Sequence, residues 1–133
     1  MLLTITNNNS SKELEYVDLF EAYPVDGIIL VGTVLTRAHK KKLKECKVPI
    51  VVIGQYTKET SCVYHDDYGA AKALAEQVGR EASGRVAYIG VTREDKAAGA
   101  AREDGFREGL KEVGKELEES CLRRAKIHHG IRI

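Results

Sequence analysis

The chain has 133 residues, of which 43% are apolar and 31% are charged. This length and composition are typical of a globular domain that buries a core without disulfides or a metal ion. The formal net charge of +1, from 21 Lys and Arg against 20 Asp and Glu, excludes an extended basic surface for nucleic acid. We therefore expect this chain alone not to bind DNA specifically.

The cysteine pattern and the absence of targeting signals predict a cytoplasmic protein. Cys46, Cys62 and Cys121 are odd in number and widely spaced, which favours reduced, buried thiols over a disulfide framework. Residues 1–9 lack the basic and apolar pattern of a secretion signal, and no stretch approaches the roughly 20 apolar residues of a membrane span. Secretion and membrane insertion are both disfavoured.

The first half of the chain alternates strand-like and helical patterns. Leu2–Thr6 predicts a short strand, and Ser10 with Glu13 three residues later predicts a capping box that begins a helix. The continuous apolar runs 27–32 and 48–54 predict strands that are covered on both faces.

The second half continues the alternation. Residues 62–65 predict a short strand, after which Asp66 or Asp67 caps a helix that ends near Gly84. A strand, a helix and a weak strand follow, over residues 85–91, 98–113 and 125–127. This order predicts an α/β fold with parallel sheets flanked by helices.

Common cofactor and metal motifs are missing from the sequence. The strand ends at Gly32, Gly54 and Gly90 carry single glycines, whereas a dinucleotide site needs Gly-x-Gly-x-x-Gly. The histidines are scattered: His65 lies near Cys62, and His128 and His129 lie near Cys121. We predict no cofactor and no metal site from this pattern.

Thr36 is predicted to cap a strongly basic helix. Its basic residues are Arg37, Lys40, Lys41, Lys42, Lys44 and Lys47. The apolar stripe is thin and no aromatic residues are interleaved, which indicates a solvated outer helix rather than a phosphate-binding face.

Three charged residues lie at or near strand-to-helix junctions. Asp66 and Asp67 stand at a strand-to-helix junction, where helix capping already explains an acidic residue. Arg102 lies in the first turns of a helix that follows a strand, so its guanidinium can reach the crevice beyond the strand's carboxyl end. Its neighbours indicate a charged helix surface: Glu103, Asp104, Arg107 and Glu108.

Five blocks, in order and spacing, closely resemble the signature of the LacI/GalR transcriptional regulators. They are residues 24–30, 48–54, 63–69, 86–90 and the Arg-x-x-Gly-Phe motif at 102–106. The resemblance covers the chain from Leu2 to about Gly114. Within the family, the segment from Ile89 to Arg102 is most similar to repressors of disaccharide or sugar-phosphate operons, trehalose repressors among them.

The resemblance implies an incomplete two-lobed core of the periplasmic-binding-protein-like type I fold. Residues 1–82 would belong to the lobe nearer the DNA-binding headpiece and residues 83–133 to the distal lobe.

The same resemblance implies where the effector, a small sugar or sugar phosphate, is bound. Arg102 would bind its hydroxyls, Asp66 and Asp67 would border the cleft from the other lobe, and the turn with Asn8 and Asn9 would also line it. A forked guanidinium and a carboxylate suit vicinal hydroxyls. The implied role is a repressor that senses an effector without catalysis or cofactor.

Compared with complete regulators, the chain lacks a helix-turn-helix and the strand and helix that precede the segment matching Leu2. It also lacks the remainder of the distal lobe after Ile133. We therefore expect operator DNA to be bound by the headpiece alone. We also expect self-association, as a homodimer or higher, because unpaired strand edges can be filled by another chain.

Two alternatives remain open at this point. The first is a transport-type sugar-binding protein of the same fold, which the missing secretion signal disfavours. The second is a small α/β enzyme or phosphoacceptor domain that uses Asp66 and Asp67, and it would need a cation or a base nearby.

Overall fold

A computed structural model of the chain describes residues 1–32 and 34–125. The chain divides into two compact units, a first unit from Met1 to Tyr64 and a second unit that begins at His65.

The first unit is a parallel sheet with two helices. Its elements are α1 (Ser10–Ala22), β1 (Ile28–Val31), α2 (Arg37–Glu45), β2 (Ile50–Ile53) and β3 (Ser61–Val63). The strand order is β1-β2-β3, and β2 pairs in parallel with both neighbours. The strands predicted within residues 27–32 and 48–54 and the Thr36 cap of α2 are confirmed.

One face of this sheet forms the core of the first unit. The buried residues are Val17, Ile28, Leu30, Leu43, Ile50 and Val52. The alternate residues Ile29 and Val31 are 70% and 69% exposed. The prediction of strands covered on both faces is therefore wrong for the part of the chain that the structure describes, because α1 and α2 both pack against the same face.

The start of the chain also differs from the prediction. Leu2–Thr6 is not a strand, since no described segment pairs with its backbone, and its apolar side chains are exposed. The cap of α1 is Asn9 rather than Ser10: the Asn9 side chain accepts hydrogen bonds from the backbone N–H groups of Ser11 and Lys12, both at 3.1 Å. Glu13 does not complete a capping box, because its carboxylate is buried and bonded elsewhere.

The second unit pairs two long helices with a two-stranded parallel sheet. Its elements are α3 (Asp67–Glu81), β4 (Tyr88–Val91), a π-helical segment (Lys96–Ala101), α4 (Arg102–Glu112), a 3₁₀ turn (Glu119–Cys121) and β5 (Leu122–Ala125). The weak strand predicted at 125–127 begins earlier, and residues 126 and 127 lie outside the described part.

Glycines allow α3 and α4 to pack with their backbones in close approach. A Cβ at Gly105 would lie 2.2 Å from the carbonyl oxygen of Tyr68, and one at Gly109 would lie 2.2 Å from that of Lys72. The core beside this contact consists of Ala75, Phe106, Leu110, Leu117 and Leu122.

This packing places the division of the chain elsewhere than predicted. Helix α3 falls within the predicted first lobe of residues 1–82, yet it packs along α4 and belongs to the second unit. The structural boundary therefore follows Tyr64, because the small-residue contact between α3 and α4 holds both helices in one core.

The cysteines and the helix lengths bear on the predictions about disulfides and membrane spans. The three cysteines are free thiols and each is half-buried. None of the helices within residues 1–32 and 34–125 combines the length and apolar character that crossing a membrane requires.

Candidate functional site

An open groove of about 970 Å³ runs along the second unit between α3, β4 and the start of α4. Its walls are mainly apolar and include Leu74, Ile89 and Phe106. Arg102 and Asp67 bring charge to this lining. Such a mainly apolar concavity with a few polar groups is typical of small-molecule sites.

Arg102 and Asp67 form the polar centre of the groove. The Arg102 Nε donates a hydrogen bond to Asp67 Oδ1 at 2.6 Å. The Asp67 side chain is 9% exposed, whereas that of Arg102 is 53% exposed. Within the described residues the bond uses Nε alone, so the two terminal amino groups of the guanidinium remain able to donate to a ligand.

The Arg-x-x-Gly spacing explains how this pair forms. Residues three apart lie on the same side of a helix, so Gly105 stands one turn beyond Arg102. Because Gly105 has no side chain, α4 approaches the backbone of Tyr68, the residue that follows Asp67. The motif thus brings Arg102 to the first turn of α3.

The helix that carries Arg102 begins differently from the prediction of one continuous α-helix over 98–113. Asp95 caps a π-helical segment with its Oδ1, which accepts from the backbone N–H groups of Ala97 at 3.0 Å and Ala98 at 2.9 Å. A Cβ at Gly99 would lie 2.1 Å from the Thr92 carbonyl oxygen, so this segment also needs a glycine. Arg102 stands at the change from π- to α-helical geometry, and π segments are frequent at functional sites.

Asp66 caps a helix, whereas Asp67 binds Arg102. It is the N-cap of α3, and its Oδ1 accepts a hydrogen bond from Gly69 N–H at 2.9 Å. The prediction that Asp66 or Asp67 caps this helix is confirmed for Asp66. The inference that these carboxylates face Arg102 from the other lobe is wrong for Asp67, because Asp67 and Arg102 are bonded within the second unit.

The two acidic residues do not form a recognisable metal centre. No cluster of three or more His, Cys, Asp and Glu side chains suited to a metal ion occurs within residues 1–32 and 34–125. His128 and His129 lie outside the described residues.

Glu103 is a buried charged residue that the sequence pattern missed. Its side chain is 2% exposed, and Arg124 binds it through Nε and Nη2, both at 2.6 Å. Arg93 Nη1 and Arg107 Nε lie 3.2 Å and 3.3 Å from Oε1. These guanidiniums, the Arg124 hydrogen bond first, lower the pKa of Glu103 to about 2. The network joins the start of α4 to β5 and therefore supports the helical turn that carries Arg102.

The sequence offered little signal for this network. Arg107, at the i+4 position, was visible as a partner on the same helix face. Arg93 and Arg124 lie 10 and 21 residues from Glu103 in the chain, so only the fold brings them together.

The first unit contributes the turn that contains Asn8 and Asn9. The backbone N–H of Asn9 donates to the Thr6 carbonyl at 3.0 Å, and Asn7 and Asn8 have φ of 53° and 56°. This left-handed geometry at both central positions favours Asn or Gly. The Asn9 side chain is occupied as the cap of α1, whereas Asn8 is exposed at the second central position of the turn.

Comparison with known proteins gives a family match over almost the whole chain. The model of the family described as periplasmic binding proteins and sugar binding domain of the LacI family matches residues 1–129. The sucrose operon repressor of Staphylococcus xylosus is 31% identical over 110 residues, which cover 83% of this chain and 34% of that protein. The chain thus spans about a third of the length of this curated relative.

Solved structures show the same fold. The transcription regulator CcpA of Lactococcus lactis superposes with a TM-score of 0.79 at 25% identity, over 93% of this chain and 46% of that one. The Cra dual regulator of Pseudomonas putida, in complex with fructose 1-phosphate, gives 0.75 at 23% identity, over 94% and 45%. The predicted α/β fold of the periplasmic-binding-protein type, present in part, is confirmed.

Proposed function

Because the chain belongs to the family of periplasmic binding proteins and LacI-type sugar-binding domains, we propose that it is the effector-sensing core of a cytoplasmic transcriptional repressor. Its effector is a small sugar or sugar phosphate. The observation that carries this proposal is the Arg102–Asp67 pair in the apolar groove of the second unit.

The chemistry of the pair suits such an effector. The free edge of the Arg102 guanidinium can donate two parallel hydrogen bonds to vicinal hydroxyls or to a phosphate. Asp67 has a second carboxylate oxygen that can accept from a hydroxyl. The apolar walls beside them can cover the C–H faces of a sugar ring and exclude water.

The remaining predicted contacts complete the proposal. Asn8, Asn9 and Asp66 contact the effector in addition to Arg102 and Asp67, and effector binding closes the two lobes on each other. Closure in a homodimer changes the spacing of DNA-binding headpieces, which is a two-state allosteric coupling. The headpieces bind operator DNA, while the core itself catalyses no reaction.

Two observations disfavour the phosphoacceptor and the transport-type alternatives. A phosphoacceptor site would need Asp66 and Asp67 to share a cation, but Asp66 is a helix cap and Asp67 is bonded to a guanidinium that would repel the cation. The relatives reported above are named as regulators of transcription rather than transport proteins.

A ligand screen of the full-length protein by thermal shift tests the proposal. The panel contains sucrose, fructose 1-phosphate, other mono- and disaccharides and their phosphates, with Mg²⁺ plus acetyl phosphate as the arm for a phosphoacceptor. A sugar at 100 times its Kd should stabilise the protein by about 2.7 kcal/mol, a shift of several degrees. Stabilisation by Mg²⁺ and acetyl phosphate with none by any sugar would contradict it.

A further inference from the structure

A string of buried polar side chains crosses the first unit and is not used by the proposed site. Glu13 of α1 and His39 of α2 are 3% and 1% exposed, and His39 Nε2 lies 3.1 Å from Glu13 Oε2. Polar side chains are rarely so deeply buried without a specific set of partners.

The contacts of His39 settle which ring nitrogen carries the proton. The backbone N–H of Thr36 points at His39 Nδ1 at 3.3 Å, and the Thr36 hydroxyl lies 2.8 Å from the same atom. A backbone N–H can only donate, so Nδ1 accepts and carries no proton. His39 is therefore a neutral imidazole that donates from Nε2 to the Glu13 carboxylate.

The other end of the string reaches the Asn turn. The Thr6 hydroxyl donates to Glu13 Oε1 at 3.3 Å, and the Thr6 carbonyl accepts the Asn9 N–H that closes the turn over Asn7 and Asn8. The segment before the turn has no strand partner within the described residues, so the Thr6–Glu13 hydrogen bond ties it to α1. The string thus runs from the cap of α2 through two buried groups to the turn.

From this geometry we infer that Glu13 and His39 are positioning residues that hold the Asn7–Asn9 turn in place for effector binding. That the turn meets an effector rests on the proposed function, whereas the tether itself does not. Both side chains are buried and neither lies in the turn, so they act through Thr6.

The decisive variant is Thr6→Val, which removes the hydroxyl, keeps the side-chain shape and leaves the Glu13–His39 bond intact. Residue-level amide exchange by NMR reads the Asn9 N–H directly. Loss of one hydrogen bond predicts exchange about two- to tenfold faster at Asn9. Thr4→Val, the same change two residues earlier, is the matched control and should leave this rate unchanged.

Two Glu13 variants separate positioning from simple stabilisation. Glu13→Gln keeps an oxygen for the His39 N–H and an amide group for the Thr6 oxygen, so the Asn9 rate should stay near that of the wild type. Glu13→Ala removes both bonds and should match or exceed the effect of Thr6→Val. Unchanged exchange at Asn9 in both Thr6→Val and Glu13→Ala would overturn the tether.

A second readout on the same proteins separates this inference from the proposed function. Affinity is measured with sucrose and with fructose 1-phosphate in the full-length protein. Faster Asn9 exchange with a parallel two- to tenfold loss of sugar affinity supports positioning for the effector. Faster exchange with sugar affinity unchanged removes the turn from the site. If neither sugar binds the wild type, the panel has missed the effector, and Asn9 exchange alone decides the tether.

Discussion

Each unit of the protein buries one glutamate near the start of a helix, and the two are stabilised in opposite ways. Glu13 in the first unit bonds an imidazole and a hydroxyl, both from groups without a formal charge. Glu103 in the second unit is bound by Arg93, Arg107 and Arg124.

The difference shows that burial alone does not determine how a carboxylate stabilises the structure around it. Glu13 makes directional hydrogen bonds to neutral groups, so we expect a neutral side chain of the same shape to replace it. Glu103 lies against three guanidiniums, of which Arg93 and Arg107 also bind Asp104 and Glu119, so we expect its charge as well as its shape to be required. The first arrangement suits a tether to a turn, and the second suits a rigid base for the helix that carries Arg102.

The largest expected effect in this comparison comes from Glu103→Gln. The amide keeps the side-chain shape but leaves the surrounding guanidiniums without their shared anion. We expect a loss of about 2–3 kcal/mol in the free energy of unfolding, which is the contribution that the lowered pKa of Glu103 represents. Urea denaturation followed by circular dichroism measures it.

Glu116→Gln is the matched control because Glu116 is exposed on the same unit. Its effect should stay within about 0.5 kcal/mol. Equal effects of the two substitutions would show that the Glu103 network contributes no more than surface charge.

Acidic pH should lower the stability of the second unit because Glu103 becomes protonated. Because the folded pKa of Glu103 is lowered to about 2 from an ordinary value of 4.5, its contribution is present above pH 4.5 and is lost as the pH falls toward 2. The loss amounts to roughly 2–3 kcal/mol. Stability measured from pH 6 to pH 2 should show this decline in the wild type and a flatter one in Glu103→Gln; parallel declines would assign the acid sensitivity to other carboxylates.

Of the two buried glutamates, Glu13 should give the smaller effect when it is changed to Gln. Since the amide can preserve both hydrogen bonds, the free energy of unfolding should change by less than about 1 kcal/mol. The same urea titration measures it. A loss as large as that of Glu103→Gln would mean that the charge of Glu13 matters and that His39 is an imidazolium rather than a neutral donor.

The local features of this fold could be read from the sequence. Thr36 and Asp66 cap the helices that follow them, as short-range pattern predicts. The Arg-x-x-Gly spacing at Arg102 and Gly105 was also visible in the sequence, and in the structure its glycine allows α4 to approach the backbone of Tyr68.

Long-range features could not be predicted in the same way. Glu13 fits a capping box as well as any glutamate at that position, and only the approach of α2 turns it inward to His39. Arg124 meets Glu103 because β5 pairs with β4, which no local pattern specifies. The division after Tyr64 likewise depends on which helix α3 packs against.

Calorimetric titration of Arg102→Ala with the sugar that stabilises the full-length protein measures whether Arg102 binds the effector. Arg80→Ala is the control, because Arg80 is exposed on α3. Arg107, on the same helix as Arg102, is unsuited as a control because it takes part in the Glu103 network. Lost charge-assisted bonds worth about 1.5–3 kcal/mol predict roughly ten- to over a hundredfold weaker binding in Arg102→Ala and little change in Arg80→Ala. Unchanged affinity in Arg102→Ala, or equal losses in both variants, would contradict the account.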